Sequence, residues 1–436
     1  MNELASALQK EISNPTNFLQ ADKPFPVSAT PFILDERTYN ALTGHARNVY
    51  TAIEKVTRAY LVNEEIQNLF PEYESVRTLS KLAPESGTLL NLARFDFAVL
   101  KDGAFKMMET NTSCPGALTT VGLINNAFVE AGASIHKDLE YRVRLTVDDR
   151  AYFIRYLEAL VKRAHPHKSH ITMAFVSSEH RRIVTDLNKL TELAREFGFH
   201  AIRCEVQDLA YDGKRLSHDG VSIDCAFLKF DSVIDEAGEC DLGIYGKDVD
   251  SPESPLMRAM RDEAFVYVNT LPSMLISESK RMLALLFDPD VRNWLTEEEC
   301  KSIDAIVAKT SYLGQNRRCA WDLDELSKHK DNFVIKSVND TRGRGVFLGR
   351  YTSQNDWDSL IVRCMHGRHV VQEFLNLEQQ SVEKPIGQSG YFNAYTDIGL
   401  YQLGGASIGF LCRASSKPIV NVGNGGALRP TFVVRR

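Results

Sequence analysis

The spacing of apolar and polar residues predicts a helical region followed by a hairpin. In residues 37–80 the apolar positions recur three or four apart, which is typical of an amphipathic helix. From 92 to 110 the pattern alternates on both sides of Asp102-Gly103, a dipeptide that favours tight turns. This predicts two antiparallel strands joined at that turn.

The next part of the chain predicts helices and then a parallel sheet. A helix is expected after the Pro-Gly break at 115–116, with Gly132 at its end, and another at 149–164. Apolar runs at 170–178, 200–206 and 225–231, the first two separated by an amphipathic segment that ends at Gly198, indicate a β-α-β unit. Helical spacing returns at 256–288.

The last hundred residues predict an antiparallel sheet. Short alternating segments are separated by Gly, Asn, Asp and Ser, which are common turn residues. The segments are NFVIKSV, GVFLGRY, HVVQEFLNL, YFNAYTDIGLYQLGG, SIGFLCRAS and PIVNVG. Together with the preceding parallel unit, this predicts a mixed α/β fold (α+β mixed) assembled from several sheets.

Composition narrows the class of protein. A chain of 436 residues exceeds what one core usually organises, so two or three subdomains are expected. With 51 basic and 57 acidic residues the formal charge is −6, which argues against nucleic acid as a partner. The eight cysteines are scattered without a metal-binding spacing, and neither a secretory signal nor eighteen consecutive apolar residues occur. We therefore expect a cytoplasmic enzyme or binding protein that has no membrane partner.

The hairpin carries charge on what would be one face. Arg94 and Asp96 share a face of the first strand, and Glu109 and Asn111 share a face of the second. Paired across the turn, the oxygen atoms of Asp96, Glu109 and Asn111 suit Mg²⁺, and Arg94 suits phosphate or a developing oxyanion. An exposed face with cross-strand ion pairs is the alternative, although the following NTSCPG is unusually rich in turn residues.

Three further motifs suit anions or a nucleotide. In VIKSVNDTRGRGVFLG, Lys336 precedes a glycine turn whose backbone N–H groups can approach phosphate. The strand at 370–377 offers backbone groups to an adenine edge, and Arg413 lies near Asn421 and a Gly-Gly pair. Taken singly, an exposed turn and a core strand explain the first two motifs better than a ligand site does, and a surface arginine paired with an acid is the alternative for Arg413.

Taken together, these motifs resemble an ATP-grasp ligase of the glutathionylspermidine synthetase-like, circularly permuted family. The likeness covers about residues 90–130 and 265–430. It consists of R-x-D-F at Arg94, E-x-N at Glu109, SESKRMLALL at 277–286, and the three motifs just described. Only the synthetase part of that family is represented. Ala-Ser follows Arg413 where the family has an acidic residue, so glutathione and spermidine are not assumed as substrates.

The resemblance implies a role for each candidate residue. The catalytic residues are Arg94 and Arg413, and the Mg²⁺ ligands are Asp96, Glu109 and Asn111. ATP is bound by Lys280, Lys336, Arg342, Gly343, Gly345, Gln372, Glu373 and Leu375. The substrates are contacted by Thr112, Ser113, Cys114 and Asn421; no histidine lies near Cys114 in the sequence to activate it as a nucleophile.

The resemblance also implies an ATP-grasp organisation and a reaction. A helical region at 1–90 precedes a metal-ligand hairpin with helices at 91–165, a small parallel-sheet domain at 166–265, and a nucleotide-binding region with a glycine-rich lid at 266–436. The expected activity is ATP-dependent joining of a small acid to an amine through an acyl phosphate. A nucleotide-binding regulatory protein and a small-molecule kinase are the alternatives.

Overall fold

The computed structural model describes most of the chain. The described residues are 19–20, 23–24, 26–84, 87–113, 115–135, 143–144, 151–177, 185–229, 233–234, 240–241, 253–314, 319–340, 343, 345–420 and 426–434. Within them no helix is long and apolar enough to cross a membrane.

Helices are distributed along the whole described chain. The α-helices are Glu36–Tyr60, Glu64–Gln67, Arg77–Ser80, Thr120–Ile135, Tyr152–Ala164, Thr185–Glu196, Pro255–Arg261, Arg281–Leu285, Pro289–Arg292, Glu297–Ile306, Leu323–Lys328 and Gln354–Cys364. The 3₁₀ turns are Pro71–Tyr73, Val206–Asp208, Lys330–Asn332 and Gly349–Tyr351, and Ser273–Ser277 forms a π turn.

The long N-terminal helix is set by its cap and its apolar face. Asp35 accepts a hydrogen bond from the backbone N–H of Thr38 at 2.9 Å, so one unpaired donor of the first turn is satisfied. Val49, Ile53 and Val56 recur at helical spacing and are completely buried. They belong to the core that covers one face of the sheet described next.

The six-stranded sheet is antiparallel and contains the predicted hairpin. Its strands are, in order, Ala427–Arg429, Ala406–Ser415, Tyr391–Leu403, Leu92–Val99 and Phe105–Asn111, with Gln379–Glu383 paired to Tyr391–Leu403. Strands of the predicted segments 91–165 and 266–436 therefore lie in one sheet. The four segment boundaries themselves stay predictions.

A β-bulge explains how the hairpin separates charge from apolar residues. Strict alternation would place Met107 and Glu109 on the same face of their strand. Instead, Asp96 pairs with Glu109 and Phe97 pairs with Met107, so Met108 is an extra residue in the second strand. Because of this shift, Met107 joins the apolar core and Glu109 lies across from Asp96.

The four-stranded sheet is also antiparallel. Its order is Thr310–Gly314, His366–Glu373, Phe333–Ser337 and Val346–Leu348. Ile335 and Val371 point to a core that includes Trp357 of the helix Gln354–Cys364. The alternate positions, among them Lys336, therefore belong to the opposite face.

The third sheet is parallel, as the β-α-β pattern predicted. Its order is Val266–Tyr267, Cys225–Lys229, Thr172–Ser177 and His200–Glu205. The smaller sheets are Leu209–Tyr211 with Leu216–His218 and Val221–Ser222, Phe32–Asp35 with Thr431–Val434 and Val143–Arg144, Leu19–Gln20 with Lys23–Pro24, and Val233–Ile234 with Cys240–Asp241.

Some local predictions were wrong. The helix after the Pro-Gly break runs past Gly132 to Ile135, since glycine inside a helix costs only about 1 kcal/mol. The helix Gln354–Cys364 interrupts the C-terminal strands, and 418–420 are not a strand. The segment 256–288 contains a strand at Val266–Tyr267 between short helical turns.

Candidate functional site

The hairpin's charged face forms a buried ion pair. Arg94 donates from Nε to Oδ1 of Asp96 at 2.6 Å and from Nη2 to Oδ2 at 2.9 Å. Both residues are less than a tenth exposed. This bidentate arrangement is the strong form of an arginine–carboxylate contact.

Two residues of the neighbouring strands complete a four-residue cluster. Arg413 donates to Oδ2 of Asp96 at 2.8 Å, and also to both oxygens of Asp397 at 2.8 Å. Arg94, Asp96, Asp397 and Arg413 are called the arginine–aspartate cluster below. Its two positive and two negative charges balance, so the cluster carries no formal net charge.

A glycine and a tyrosine shape the surroundings of Arg94. A Cβ at Gly399 would lie 2.7 Å from Cδ of Arg94, so any larger residue would displace that side chain. The Arg94 guanidinium lies 5.9 Å from the ring centroid of Tyr401. Both Tyr401 and Arg94 donate to the carbonyl of Gly116, which joins the cluster to the turn after the hairpin.

The two aspartates of the cluster differ in acidity. Burial alone would raise the pKa of Asp96, but Arg94 and Arg413 outweigh it and lower that pKa to about 2. Burial raises the pKa of Asp397 to about 6, although Arg413 opposes the shift. The carboxylate that two arginines contact is thus the more firmly ionised one.

A second group of charges lies where the two antiparallel sheets meet. Lys336 donates to Oε1 of Gln372 at 2.7 Å and to the carbonyl of Met108 at 3.2 Å. Gln372 in turn donates to Thr310 at 2.8 Å. Burial, aided by Lys280, lowers the pKa of Lys336 to about 8, while Glu109 opposes the shift.

Lys280, which directly precedes the helix Arg281–Leu285, also lies near the junction of the two antiparallel sheets. Its backbone N–H donates to the carbonyl of Val338 at 3.0 Å, and its ammonium donates to the carbonyl of Asp340 at 2.6 Å. The ammonium lies 4.0 Å from Oε2 of Glu109. Lys280 and Lys336 therefore hydrogen-bond only to neutral oxygens within the described part of the chain.

The turn after the hairpin is held by three side chains, of which Asn269 and Thr112 are buried and Glu278 is partly buried. Glu278 accepts from the backbone N–H groups of Thr112 and Ser113, the second at 2.8 Å. Asn269 donates to the carbonyl of Thr112, and Thr112 donates to Ser273. Burial, aided by Glu109, raises the pKa of Glu278 to about 7 although its two backbone donors oppose the shift.

The carboxyl end of the parallel sheet adjoins this turn. Lys229, the last residue of its strand, is 5% exposed and donates to Asp186 at 3.2 Å. Asp186 also accepts from the backbone N–H of Ala117 at 2.9 Å. Ligands of open α/β sheets commonly bind beyond the carboxyl ends of the strands.

The two described glycines of the 334–349 motif have left-handed backbone conformations, which residues with a side chain rarely adopt. Gly343 and Gly345 have φ of 77° and 62°. A Cβ on Gly345 would lie 2.5 Å from a carboxylate oxygen of Asp340. On the next strand, Glu373 accepts from the backbone N–H of Lys309 at 2.8 Å, and Leu375 is half-buried.

The predicted Mg²⁺ ligands fit a metal to different degrees. Glu109 has a partly exposed carboxylate, and Asn111 has a buried amide nitrogen that lacks a hydrogen-bond partner. Asp96 already accepts hydrogen bonds from two arginines. No group of three acidic, histidine or cysteine residues that could hold a metal occurs among the described residues, so the donor set rests on Glu109 and Asn111 with Asp96 beside them.

The structure brings together most of the residues that the sequence singled out. Arg94, Asp96 and Arg413 lie in one cluster, and Glu109, Lys280, Lys336 and Gln372 lie around the junction of the sheets. Arg342, Cys114 and Asn421 lie outside the described residues. Their predicted roles, like those of the other site residues, stay predictions.

Sequence reasoning missed several residues of the site. They are Asp397, Gly399, Tyr401, Glu278, Asn269, Asp186 and Lys229. Two of them had a visible signal, because Glu278 is two residues from Lys280 and Asp397 occupies the strand before the one that carries Arg413.

Comparison with known proteins supports the fold. No family model and no curated protein matches the sequence. Among solved structures, the chain is similar to a glutathione synthetase-like effector of Globodera pallida, with a TM-score of 0.65 and 11% identity over 99% of this chain and 96% of that one. A D-alanyl-alanine synthetase A of Vibrio cholerae O1 biovar eltor reaches a TM-score of only 0.28 at 14% identity, over 53% of this chain and 67% of that one.

The first likeness extends over the whole chain, and at 11% identity it shows the fold alone. The protein is thus a mixed α/β protein with a glutathione synthetase-like fold. This confirms the predicted mixed α/β class, and the ATP-grasp arrangement of the sheets stays a prediction. Membership of the glutathionylspermidine synthetase-like family stays a prediction.

Proposed function

We propose that this protein is an ATP-dependent carboxylate–amine ligase that forms an amide bond through an acyl phosphate and releases ADP and phosphate. The observation that carries the proposal is the pair Lys280 and Lys336, two buried ammonium groups whose hydrogen-bond acceptors are neutral. Such groups favour an anionic ligand, because phosphate oxygens offer charge that carbonyl and amide oxygens lack. The glutathione synthetase-like fold supports the same activity.

The two lysines hold the ATP phosphates in this proposal. The glycine turn with Arg342, Gly343 and Gly345 covers those phosphates through its backbone N–H groups. The strand with Gln372 and Glu373, followed by Leu375, offers backbone groups and an apolar wall to adenine. Gln372 and Glu373 pair with Val334 and Phe333 on the strand that carries Lys336.

Glu109 and Asn111 are the proposed Mg²⁺ ligands, with Asp96 as the third. When bound, Mg²⁺ neutralises charge on the phosphate oxygens. Glu109 is 4.0 Å from the Lys280 ammonium, so a metal held by Glu109 would lie near the two lysines proposed to bind phosphate. Asn111 would contribute its amide oxygen, and its Nδ2 atom, which is buried without a partner among the described residues, would be free to donate to a bound ligand.

Arg413 stabilises the charge that develops during transfer, and Arg94 supports it. All three guanidinium nitrogens of Arg94 donate hydrogen bonds, whereas Nη1 of Arg413 has no hydrogen bond among the described residues. Arg413 thus has donors left for an incoming oxyanion. Phosphoryl transfer needs mainly positioning and charge stabilisation, which this site can supply without a nucleophilic side chain.

The reaction proceeds in two displacements. An oxygen of the substrate carboxylate forms a bond to the γ-phosphorus while the bond from that phosphorus to the bridging oxygen breaks, and ADP leaves. The uncharged amine nitrogen then bonds to the acyl carbon, phosphate leaves, and the nitrogen loses a proton. Exclusion of water protects the acyl phosphate between the two steps.

The substrates are proposed as an amino acid or small peptide for the acid and an amino acid or polyamine for the amine. Thr112 and Ser113 lie on the turn that adjoins both the cluster and the parallel sheet, and Cys114 and Asn421, which lie outside the described residues, are included on the resemblance alone. Lys229, whose buried ammonium pairs with Asp186, lies at the same place and has further N–H donors for a carboxylate.

The test is ATP turnover with paired acids and amines, analysed by mass spectrometry. We expect ADP, phosphate and a condensed product, and we expect Glu109→Gln to abolish turnover while the circular dichroism spectrum is kept. Glu383→Gln, on a strand of the same sheet, is the matched control and should retain activity.

Other products would reject the proposal. AMP and pyrophosphate would indicate adenylation. A stable phosphorylated acid without an amine requirement would indicate a kinase, and ATP binding without substrate-dependent hydrolysis would indicate a regulatory protein.

A further inference from the structure

Two adjacent residues of the N-terminal helical region contact the surroundings of Lys280. The first is Glu72, whose side chain is fully buried. Its two carboxylate oxygens accept from Nε and Nη2 of Arg281 at 3.2 and 3.1 Å. Arg281 follows Lys280 directly, so this ion pair fixes the chain on one side of the lysine.

The second residue is Tyr73, which is 1% exposed. Its hydroxyl donates to the carbonyl of Leu275 at 3.2 Å and accepts from Nδ2 of Asn339 at 2.7 Å. Asn339 directly precedes Asp340, whose carbonyl accepts the Lys280 ammonium. Tyr73 therefore fixes the acceptor on the other side of the lysine.

We propose that Tyr73 is a positioning residue that orients Lys280 for the ATP phosphates by holding Asn339 and the Asp340 carbonyl in place. This inference rests on the proposed function, because it assumes that Lys280 binds phosphate. It adds a part of the chain, around residues 71–73, that no candidate role included. Together, Glu72 and Tyr73 contact the two segments that adjoin the Lys280 ammonium, one at Arg281 and the other at Asn339.

The orientation of the Asn339 side chain depends on its hydrogen bond to the Tyr73 hydroxyl. Its Oδ1 atom is buried and has no partner among the described residues, so the bond from Nδ2 to Tyr73 is the hydrogen bond that fixes its orientation. Loss of the Tyr73 hydroxyl removes that bond and leaves the aromatic ring, which stacks on Phe70 with centroids 6.4 Å apart, in the core. Loss of the Tyr73 hydroxyl therefore affects Asn339, which directly precedes Asp340, the residue whose carbonyl accepts the Lys280 ammonium.

The test is a double-mutant cycle on Mg-ATP binding, measured by titration calorimetry. Tyr73→Phe should raise the Kd about threefold to tenfold, the effect of one neutral hydrogen bond. In a Lys280→Ala background the same substitution should leave the Kd unchanged within about twofold, because residues that act through one another are not additive. Asn339→Ala reaches the same contact from the other side and should reproduce the Tyr73→Phe effect.

Tyr60→Phe is the matched control. Tyr60 is also 1% exposed, and its hydroxyl pairs with Ser80 at 2.7 Å, away from residues 338–340. It should leave the Kd for Mg-ATP unchanged within about twofold.

Two outcomes separate this inference from the proposed function. If the wild-type protein does not bind Mg-ATP, the proposed function fails. If it binds, the positioning role is overturned when Tyr73→Phe behaves as Tyr60→Phe does, or when it weakens binding equally with and without Lys280.

Discussion

Two regions of this molecule bury charge on a sheet face, and they do so in opposite ways. In the arginine–aspartate cluster of the six-stranded sheet, each arginine contacts a carboxylate with two nitrogens. At the junction with the four-stranded sheet, Lys280 and Lys336 have carbonyl and amide oxygens as acceptors. The first region pairs each charge by hydrogen bonds to an opposite charge, whereas the second leaves its two ammonium groups with neutral hydrogen-bond acceptors and Glu109 at 4.0 Å from Lys280.

The difference shows which region is prepared for an anion. Removing a charge from water costs several kcal/mol, about as much as a well-formed buried ion pair returns. In the arginine–aspartate cluster the ion pairs offset this cost, so the four residues are held in place before any substrate binds. For Lys280 and Lys336 the neutral acceptors offset the desolvation cost only in part, as the lowered pKa of Lys336 indicates. A phosphate group would supply the missing negative charge.

The largest effect is expected from breaking the balanced region. Arg413→Met leaves Asp397 buried without its arginine, and we expect the free energy of unfolding to fall by about 3–5 kcal/mol. Urea denaturation followed by circular dichroism measures this change. Replacing both partners, in Arg413→Met/Asp397→Leu, should restore much of the stability because no unpaired charge remains.

An exposed arginine serves as the control for that experiment. Arg215 pairs with Asp212 at 3.5 Å and its side chain is 70% exposed, so Arg215→Met should change stability by less than about 1 kcal/mol. A loss at Arg413 no larger than the loss at Arg215 would mean that the cluster is not the balanced, desolvated network described above.

The next effect concerns the unbalanced region and appears in binding. Lys336→Met removes a buried charge whose hydrogen-bond acceptors are neutral, so stability should not fall, while the affinity for Mg-ATP falls about 10-fold to 100-fold. Lys330→Met is the control, since Lys330 precedes the same strand and donates to the carbonyl of Gly349. Equal affinity of the two variants would remove Lys336 from the phosphate site.

The sequence was sufficient for local features of both regions. The hairpin followed from alternation around Asp102-Gly103, and the β-α-β unit followed from apolar runs separated by an amphipathic helix. The polar face with Arg94 and Asp96 was visible because side chains of a strand alternate. Each of these features depends on residues close together in the chain.

The missing parts depend on contacts between distant residues. Asp397 joins the cluster because strand Tyr391–Leu403 pairs with Leu92–Val99, and no local pattern specifies that pairing. The bulge at Met108 was equally hidden, although it decides which way Glu109 faces. Tyr73 approaches Asn339 only because the part of the chain around Tyr73 packs against the segment that follows strand Phe333–Ser337.

The smallest effect, a pH dependence, sharpens the comparison further. Folded Lys336 has a pKa of about 8, against an ordinary value of 10.5, so it loses its proton at lower pH when folded than when unfolded. Between those values the unfolded state binds more protons, and the free energy of unfolding therefore rises with pH, by about 1 kcal/mol from pH 8 to pH 9.

The arginine–aspartate cluster contributes no such slope between pH 8 and pH 9. The pKa values of its carboxylates lie at about 6 or below. The pKa values of Arg94 and Arg413 are raised above an already high ordinary value by the aspartates they contact. Urea denaturation of the wild type and of Lys336→Met at both pH values isolates the lysine, and an equal slope in the two proteins would show that Lys336 is not the group that titrates.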